Sequence, residues 1–315
     1  MRAIVLIAGL AIVDVASAQD RTIRLVVGFP AGATADALTR LIAERMRERL
    51  GQPVIVENRP GAGGRLAVEH VKGLPADGTA FLLTPFANVV AHPHVYPKLR
   101  YDAFKDIDPV AHVANFQLAL VVNASVPAKS LKDYVALVRS DPKYGNYASA
   151  AAGSLPHFFG VMFARAAGIE LTHVPYKGTA PALTDLAGGQ ISAFSGVESD
   201  VLPLARADKA RVLATSGAAR SRTFPDVPTF REQGFDIEGS AWYAVYAPAG
   251  TPKAILDRVG AAVVDAVRSA EVKPKMEALG VDPTGLPAAD LARIHKADYE
   301  RWGPVIRASG FKPEE

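Results

Sequence analysis

Ser154 and His157 lie three residues apart, close enough to suggest the hydroxyl–imidazole pair of a serine hydrolase. A Gly-x-Ser-x-Gly elbow is absent and no spaced aspartate completes a triad, so the bland reading is preferred. In it His157 is a first-turn helix residue that donates a hydrogen bond. Lys177 has the type of a Schiff-base lysine or an anion contact, although an exposed loop lysine is the commoner fate of such a residue. His92 and His94 flank Pro93 without the third ligand a metal needs, and the chain has no cysteine, so neither metal nor cofactor is expected. Gly61-Ala62-Gly63-Gly64 resembles a phosphate loop only loosely, lacking its spacing and its lysine, and reads as a tight turn.

Uncharged loops offer a different chemistry. Gly28 to Asp36 joins an apolar run, Ile23 to Val27, to an amphipathic stretch, with Thr34 as candidate N-cap. A helix start carries unpaired amide donors and partial positive charge, which suits a carboxylate without any basic side chain. Gly32 permits close approach of backbone to ligand. Asp36 would repel an anion and is assigned to orienting the loop. A Gly/Pro turn with a capping threonine explains the same residues equally well. Ala148 to Ser154, Tyr176 to Pro181 and Ser195 to Val197 repeat the device, rich in small residues and hydroxyls.

These loops need elements to hold them. Ile23–Val27, Val54–Val56 and Ala80–Leu83 read as strands, the first of them buried on both faces. Leu38, Leu41, Ile42, Met46 and Leu50 fall at helical spacing ahead of Gly51. Such alternation predicts an α/β fold with parallel-rich sheets flanked by helices and a crevice beyond the strand ends. A second series follows at 146–149, 171–175, 191–195 and 211–215. The apolar strands Leu118–Val122 and Trp242–Tyr246 are read as paired crossings between two lobes. Lobe one is then 19–121 plus 243–315 and lobe two 122–242, hinged as a clamp.

At 315 residues with 49% hydrophobic and 21% charged, the chain can build two cores. The net charge of +3 is scattered, so nucleic acid is not implied. Met1 and Arg2, the apolar run Ala3–Val13 and Ala16-Ser17-Ala18 read as a signal peptide over 1–18, removed on export to the periplasm.

Taken in order, Arg24–Asp36 (RLVVGFPAGATAD), Gly51–Gly64 (GQPVIVENRPGAGG), His173–Pro181 (HVPYKGTAP), Asp185–Gln190 (DLAGGQ), Pro225–Thr229 (PDVPT) and Ala247–Pro252 (APAGTP) resemble the Bug receptors of tripartite tricarboxylate transporters. The resemblance implies a type II Venus-flytrap fold that closes on a small carboxylate, a di- or tricarboxylate or an aromatic acid, and delivers it to membrane subunits. A clamp that must open is expected to be a monomer. By position, Phe29, Gly32, Ala33, Thr34 and Asp36 would form the lobe-one loop, with Thr84, Phe86 and Ala87 beside it. Ser149, Gly153, Ser154, His157, Tyr176, Lys177, Gly178, Thr179, Ser195, Gly196 and Val197 would face them. Phe86 and Trp242 are also candidates for a stacking face, a role that competes with simple packing. The chain departs from the family pattern at Gly28, usually proline, and at Ala33, usually glycine. A sensing receptor and an enzyme on the same fold are the alternative readings.

Overall fold

The computed structural model describes residues 21–176 and 178–312, so the leader at 1–18 and Lys177 lie outside it. The chain begins as expected: β1 (Ile23–Val27), α1 (Thr34–Leu50), β2 (Val54–Asn58), α2 (Arg65–Lys72) and β3 (Ala80–Pro85). β1 is buried along nearly its whole length, and Gly51 ends α1 in the left-handed conformation with its N–H bonded to the Arg47 carbonyl. After the short α3 (His92–Val95) comes β4 (Ile107–Phe116), and Gln117 alone separates it from β5 (Leu118–Asn123).

The second lobe then runs through α4 (Leu131–Ser140), β6 (Asn146–Ser149), α5 (Leu155–Ala167), β7 (Thr172–Pro175), α6 (Thr179–Ala187), β8 (Ala193–Val197), α7 (Glu198–Arg206) and β9 (Ala210–Thr215). The return to the first lobe is made by β10 (Ala241–Pro248), followed by α8 (Lys253–Arg268), α9 (Val272–Ala278), β11 (Asp282–Pro287) and α10 (Ala288–Ser309).

Two sheets result, six-stranded in the order β11-β4-β10-β3-β1-β2 and five-stranded in the order β7-β6-β8-β5-β9. Strands linked by helices run parallel, β1 with β2 and β3, and β6 with β7 and β8. The strands that carry the chain between lobes run antiparallel to their neighbours, β10 with β3 and β4, and β5 with β8 and β9. The sheets are therefore mixed, and parallel-rich describes only their helix-linked halves.

Leu118–Val121, assigned to the first lobe from sequence, pair in the second sheet, so the chain changes lobes at Gln117. Gln117 and Ser216 fasten the two crossings together. The Gly217 N–H donates to Gln117 Oε1 at 2.9 Å, the Leu118 N–H to Ser216 Oγ at 2.9 Å, and the Ser216 hydroxyl to the Gly239 carbonyl at 2.6 Å.

A third connection was not anticipated. α10 starts on the first lobe, where His295 Nε2 lies 3.0 Å from the Val89 carbonyl and the Trp242 indole donates to Asp298 at 2.8 Å. It ends on the second, where Arg165 bonds the Ala308 carbonyl and Phe311 packs edge-on against His157 and Phe158. Trp302 sits between the two, in contact with Phe86 on one side and Phe159 on the other.

Candidate functional site

Asp36 is almost fully buried and its carboxylate is saturated. It accepts from the Gly32 N–H at 2.9 Å, from Asn58 Nδ2 at 2.8 Å and from Arg40 Nε at 3.0 Å. Burial works against its charge, but these bonds and the Arg40 charge outweigh it and hold the carboxyl below its ordinary value. Asp36 therefore fixes the β1–α1 loop and leaves no oxygen over for a solute. Gly32 spends its N–H on Asp36, so that amide is not available to a solute. Thr34 is the first residue of α1 and Ala33 is the N-cap, so the predicted threonine cap is also corrected.

The freed Thr34 side chain lines a cavity of about 240 Å³ between the lobes. Phe29, Ala33, Thr34 and Ala35 form its first-lobe wall. Thr179, at the start of α6, and Val197, Ser199 and Asp200, at the start of α7, form the opposite wall. Phe116, Tyr243 and Val281 close its sides. Three helix starts thus meet on one small space, and the first-turn amides of a helix have no partners within it. A larger groove of about 890 Å³ runs along Arg65, Tyr96 and Arg100, but it draws on the first lobe and the C-terminal tail only.

Five of the sequence candidates line the inter-lobe cavity, namely Phe29, Ala33, Thr34, Thr179 and Val197. The others are used differently. Thr84 is buried in β3, and Ala87 opens the π-helical turn that follows it. Phe86 is fully buried, edge-on to Trp242 at 5.7 Å and to Trp302 at 5.8 Å, so both aromatic candidates pack the core. Ser195 is buried in β8, and a side chain on Gly196 would strike the Phe194 ring at 2.1 Å.

Ser154 caps α5, accepting from the His157 N–H and donating its own proton to the Ala151 carbonyl at 2.7 Å. His157 Nδ1 accepts from the Gly153 N–H at 3.1 Å, so at this atom the ring accepts where a donor was expected. Ser154 and His157 are joined through backbone, not as a nucleophile and its base. Ser149 is fully buried. With its hydroxyl donated to the Ala151 carbonyl, it is left to accept from His173 Nε2 at 2.8 Å. His157 and His173 stack at 4.0 Å. Burial pushes His157 down to about 4 and His173 to about 3, the latter with help from its neighbour, so both rings are neutral at pH 7.

The same loops are laced together by backbone. The Tyr176 N–H donates to the Ser149 carbonyl and the Gly178 N–H to the Ala150 carbonyl, while the Tyr176 hydroxyl bonds Asp185 at 2.6 Å. His92 and His94 diverge: His92 is buried against Tyr96, and His94 meets the Tyr299 carbonyl at 2.9 Å. Among the described residues no group of three or more histidine, aspartate or glutamate side chains could hold a metal.

Gly28 abuts another glycine, and a Cβ there would stand 2.7 Å from the Gly64 Cα. The loop Gly61–Gly64, with positive φ at all four residues, could not sit this close to a proline at 28. Glycine at position 28 is thus a packing solution.

Sequence reasoning missed Ala35, Phe116, Ser199, Asp200, Tyr243 and Val281. Ser199 and Asp200 directly follow the third loop that was singled out, and Tyr243 lies in a strand that was recognised. Their nearness to those features was the available signal.

Two α/β lobes, joined by paired crossings and enclosing a small cavity between them, make a solute-binding protein. The chain belongs to the tripartite tricarboxylate transporter receptor family, whose pattern matches residues 38–311. BugT of Bordetella pertussis is 34% identical over 295 residues, covering 93% of this chain and 90% of that protein. Rpa4515 of R. palustris, solved with adipate, superposes with a TM-score of 0.83 at 34% identity, over 93% of this chain and 99% of that one. MatC of Rhodopseudomonas palustris, with bound malate, gives 0.78 at 30% identity, over 91% and 99%. These bear out the Bug resemblance and the two-lobed fold. Among the described residues no helix is long and apolar enough to cross a membrane.

Proposed function

We propose that this chain is a periplasmic receptor that captures a small carboxylate between its lobes and delivers it to the membrane subunits of a tripartite tricarboxylate transporter. The observation that carries this reading is the cavity at the start of α1, walled by both lobes. One carboxylate of the ligand docks on the amides of Thr34 and Ala35, where the helix dipole favours negative charge. Closure then brings Thr179, Val197 and the α7 start against the rest of the solute, with the loops of Ser149, Gly153, Ser154, His157, Tyr176 and Gly178 stiffening that wall. Hydrogen bonds to a charged group contribute about 1.5–3 kcal/mol each, enough for two or three to bias the hinge toward closure.

No chemistry is needed for this role. Malate and adipate in the solved relatives support a carboxylate, and the neutral, backbone-tied Ser154 and His157 support binding without turnover. A monomer suits a hinge that opens.

The test is thermal unfolding of residues 19–315 against carboxylates, aromatic acids, amino acids and sugars. A ligand at about 100 times its Kd adds about 2.7 kcal/mol, which is several degrees for a chain of this size. The expected result is a shift confined to acids, with the ligand recovered unchanged. A shift from sugars alone, or a ligand consumed during the assay, overturns the reading.

A further inference from the structure

The inter-lobe cavity has two unlike ends. At the first-lobe end, Ala33, Thr34 and Ala35 present the start of a 17-residue helix, which attracts negative charge. At the second-lobe end stands Asp200. One of its oxygens accepts from the Thr179 hydroxyl at 3.3 Å, and no other hydrogen bond reaches the carboxyl among the described residues. No arginine, lysine or histidine among the described residues lines the cavity. Burial, the dominant influence, pushes Asp200 above the ordinary aspartate range, and the Thr179 bond offsets this only in part. Tyr243, which lines the same space, is itself pushed up by burial and by the Asp200 charge, so it remains a neutral hydroxyl.

A dicarboxylate lying along this cavity would set its second carboxylate against Asp200. Two carboxyl groups at close quarters cannot both ionise without cost, and the described residues of the cavity lining offer no cation to offset it. A hydrogen-bond donor at that end meets the opposite situation, because the underused oxygen of Asp200 is an acceptor awaiting a proton. An ammonium group would also supply the missing counter-charge, and a hydroxyl would supply the bond without the charge. About 240 Å³ holds roughly eight non-hydrogen atoms at the ~30 Å³ that one water occupies, the scale of a four- to six-carbon acid.

We infer that Asp200 sets the specificity of the receptor, selecting an acid with a carboxylate at one end and an amino or hydroxyl group at the other over the dicarboxylate of equal length. This rests on the receptor reading given above. Site and fold stay as described, and what is added is the class of solute.

The experiment is titration calorimetry on residues 19–315 at pH 7.5 with matched sets: succinate, 4-aminobutyrate and 4-hydroxybutyrate, then adipate, 6-aminohexanoate and 6-hydroxyhexanoate. In at least one set the amino or hydroxy acid is expected to bind tenfold or more tighter than the dicarboxylate. Asp200→Asn, which keeps an acceptor and removes the charge, is expected to erase the amino acid's advantage and leave the hydroxy acid within a few-fold. A wild-type preference for the dicarboxylate overturns the inference while leaving the carboxylate receptor standing. If that preference disappears in Lys177→Met, the far end belongs to the lysine instead. Binding of no acid of any kind by folded protein overturns the receptor reading, and this inference with it. Wild-type selectivity decides the question even if the variant fails to fold.

Discussion

Asp36 and Asp200 occupy the same place on their helices, the third residue of α1 and the third of α7, one in each lobe. Position on a helix favours ionisation of both alike. Their fates are opposite. Asp36 is surrounded by donors and held below its ordinary value, whereas Asp200 has a single threonine and is pushed above it. The difference lies in the partners that tertiary structure brings: Gly32, Asn58 and Arg40 for one, and an inter-lobe cavity for the other. One aspartate is scaffolding and the other is open to a ligand.

The strongest way to break this comparison is Asp36→Ala. It strands the Gly32 N–H and the buried side of Asn58, so a loss of about 3 kcal/mol is expected, read as a lower midpoint in chemical denaturation. Arg40 is half exposed and recovers water, so little of that loss is assigned to its ion pair. Acid-binding affinity should fall in parallel as the α1 start loses its shape. A loss below about 1 kcal/mol would deny Asp36 its scaffolding role.

A third acid sharpens the contrast. Glu198, two residues before Asp200, is buried, and desolvation pushes it up to about 7 against hydrogen bonds from Ser221 and Thr223. A carboxyl whose folded value exceeds its unfolded one binds more protons folded than unfolded between the two. Stability therefore falls as pH rises from about 4.5 to about 7. Glu198→Gln is expected to gain about 2 kcal/mol over wild type at pH 8 and nothing at pH 4. Equal gains at both pH values would mean that charge is not the cause.

Asp200→Asn should then leave stability at pH 7 within about 1 kcal/mol of wild type, a change in selectivity outweighing the change in folding. A loss as large as that of Asp36→Ala would make the two residues alike after all. The smallest effect is expected from Arg222→Ala. Arg222 reaches across to Glu277 at 2.7 Å and Asp282 at 3.7 Å, but it is largely exposed, so the pair contributes about 0.5 kcal/mol. Its removal should show in faster ligand release, measured by stopped flow, more than in unfolding.

The loops and helix-linked strands were legible because their signals are local: buried apolar runs, helical spacing and glycine stops. β4 and β11 were not. β11 carries Pro283 and Pro287, which a strand tolerates here because it lies at the sheet edge. Pro109 of β4 lies beyond the reach of β11, whose pairing ends at Ala111, so its missing N–H costs no bond on that side. Whether a proline falls at an edge is a property of the finished sheet. Asp200 was missed for a related reason, since in sequence it is an ordinary first-turn acid. Asp36 was assigned to loop orientation because its charge would repel an anion, and the bond it accepts from the Gly32 N–H, only four residues away, gives that role its local basis.

α10 gives the clamp a property that two crossing strands would not. A rod anchored at both ends to bodies that swing apart must flex, and Pro304, between the His295 and Ala308 anchors, removes one rung of its ladder at a point where flexing is cheapest. If the lobes swing apart about the crossings, α10 has to bend with them, and its resistance to bending would oppose opening.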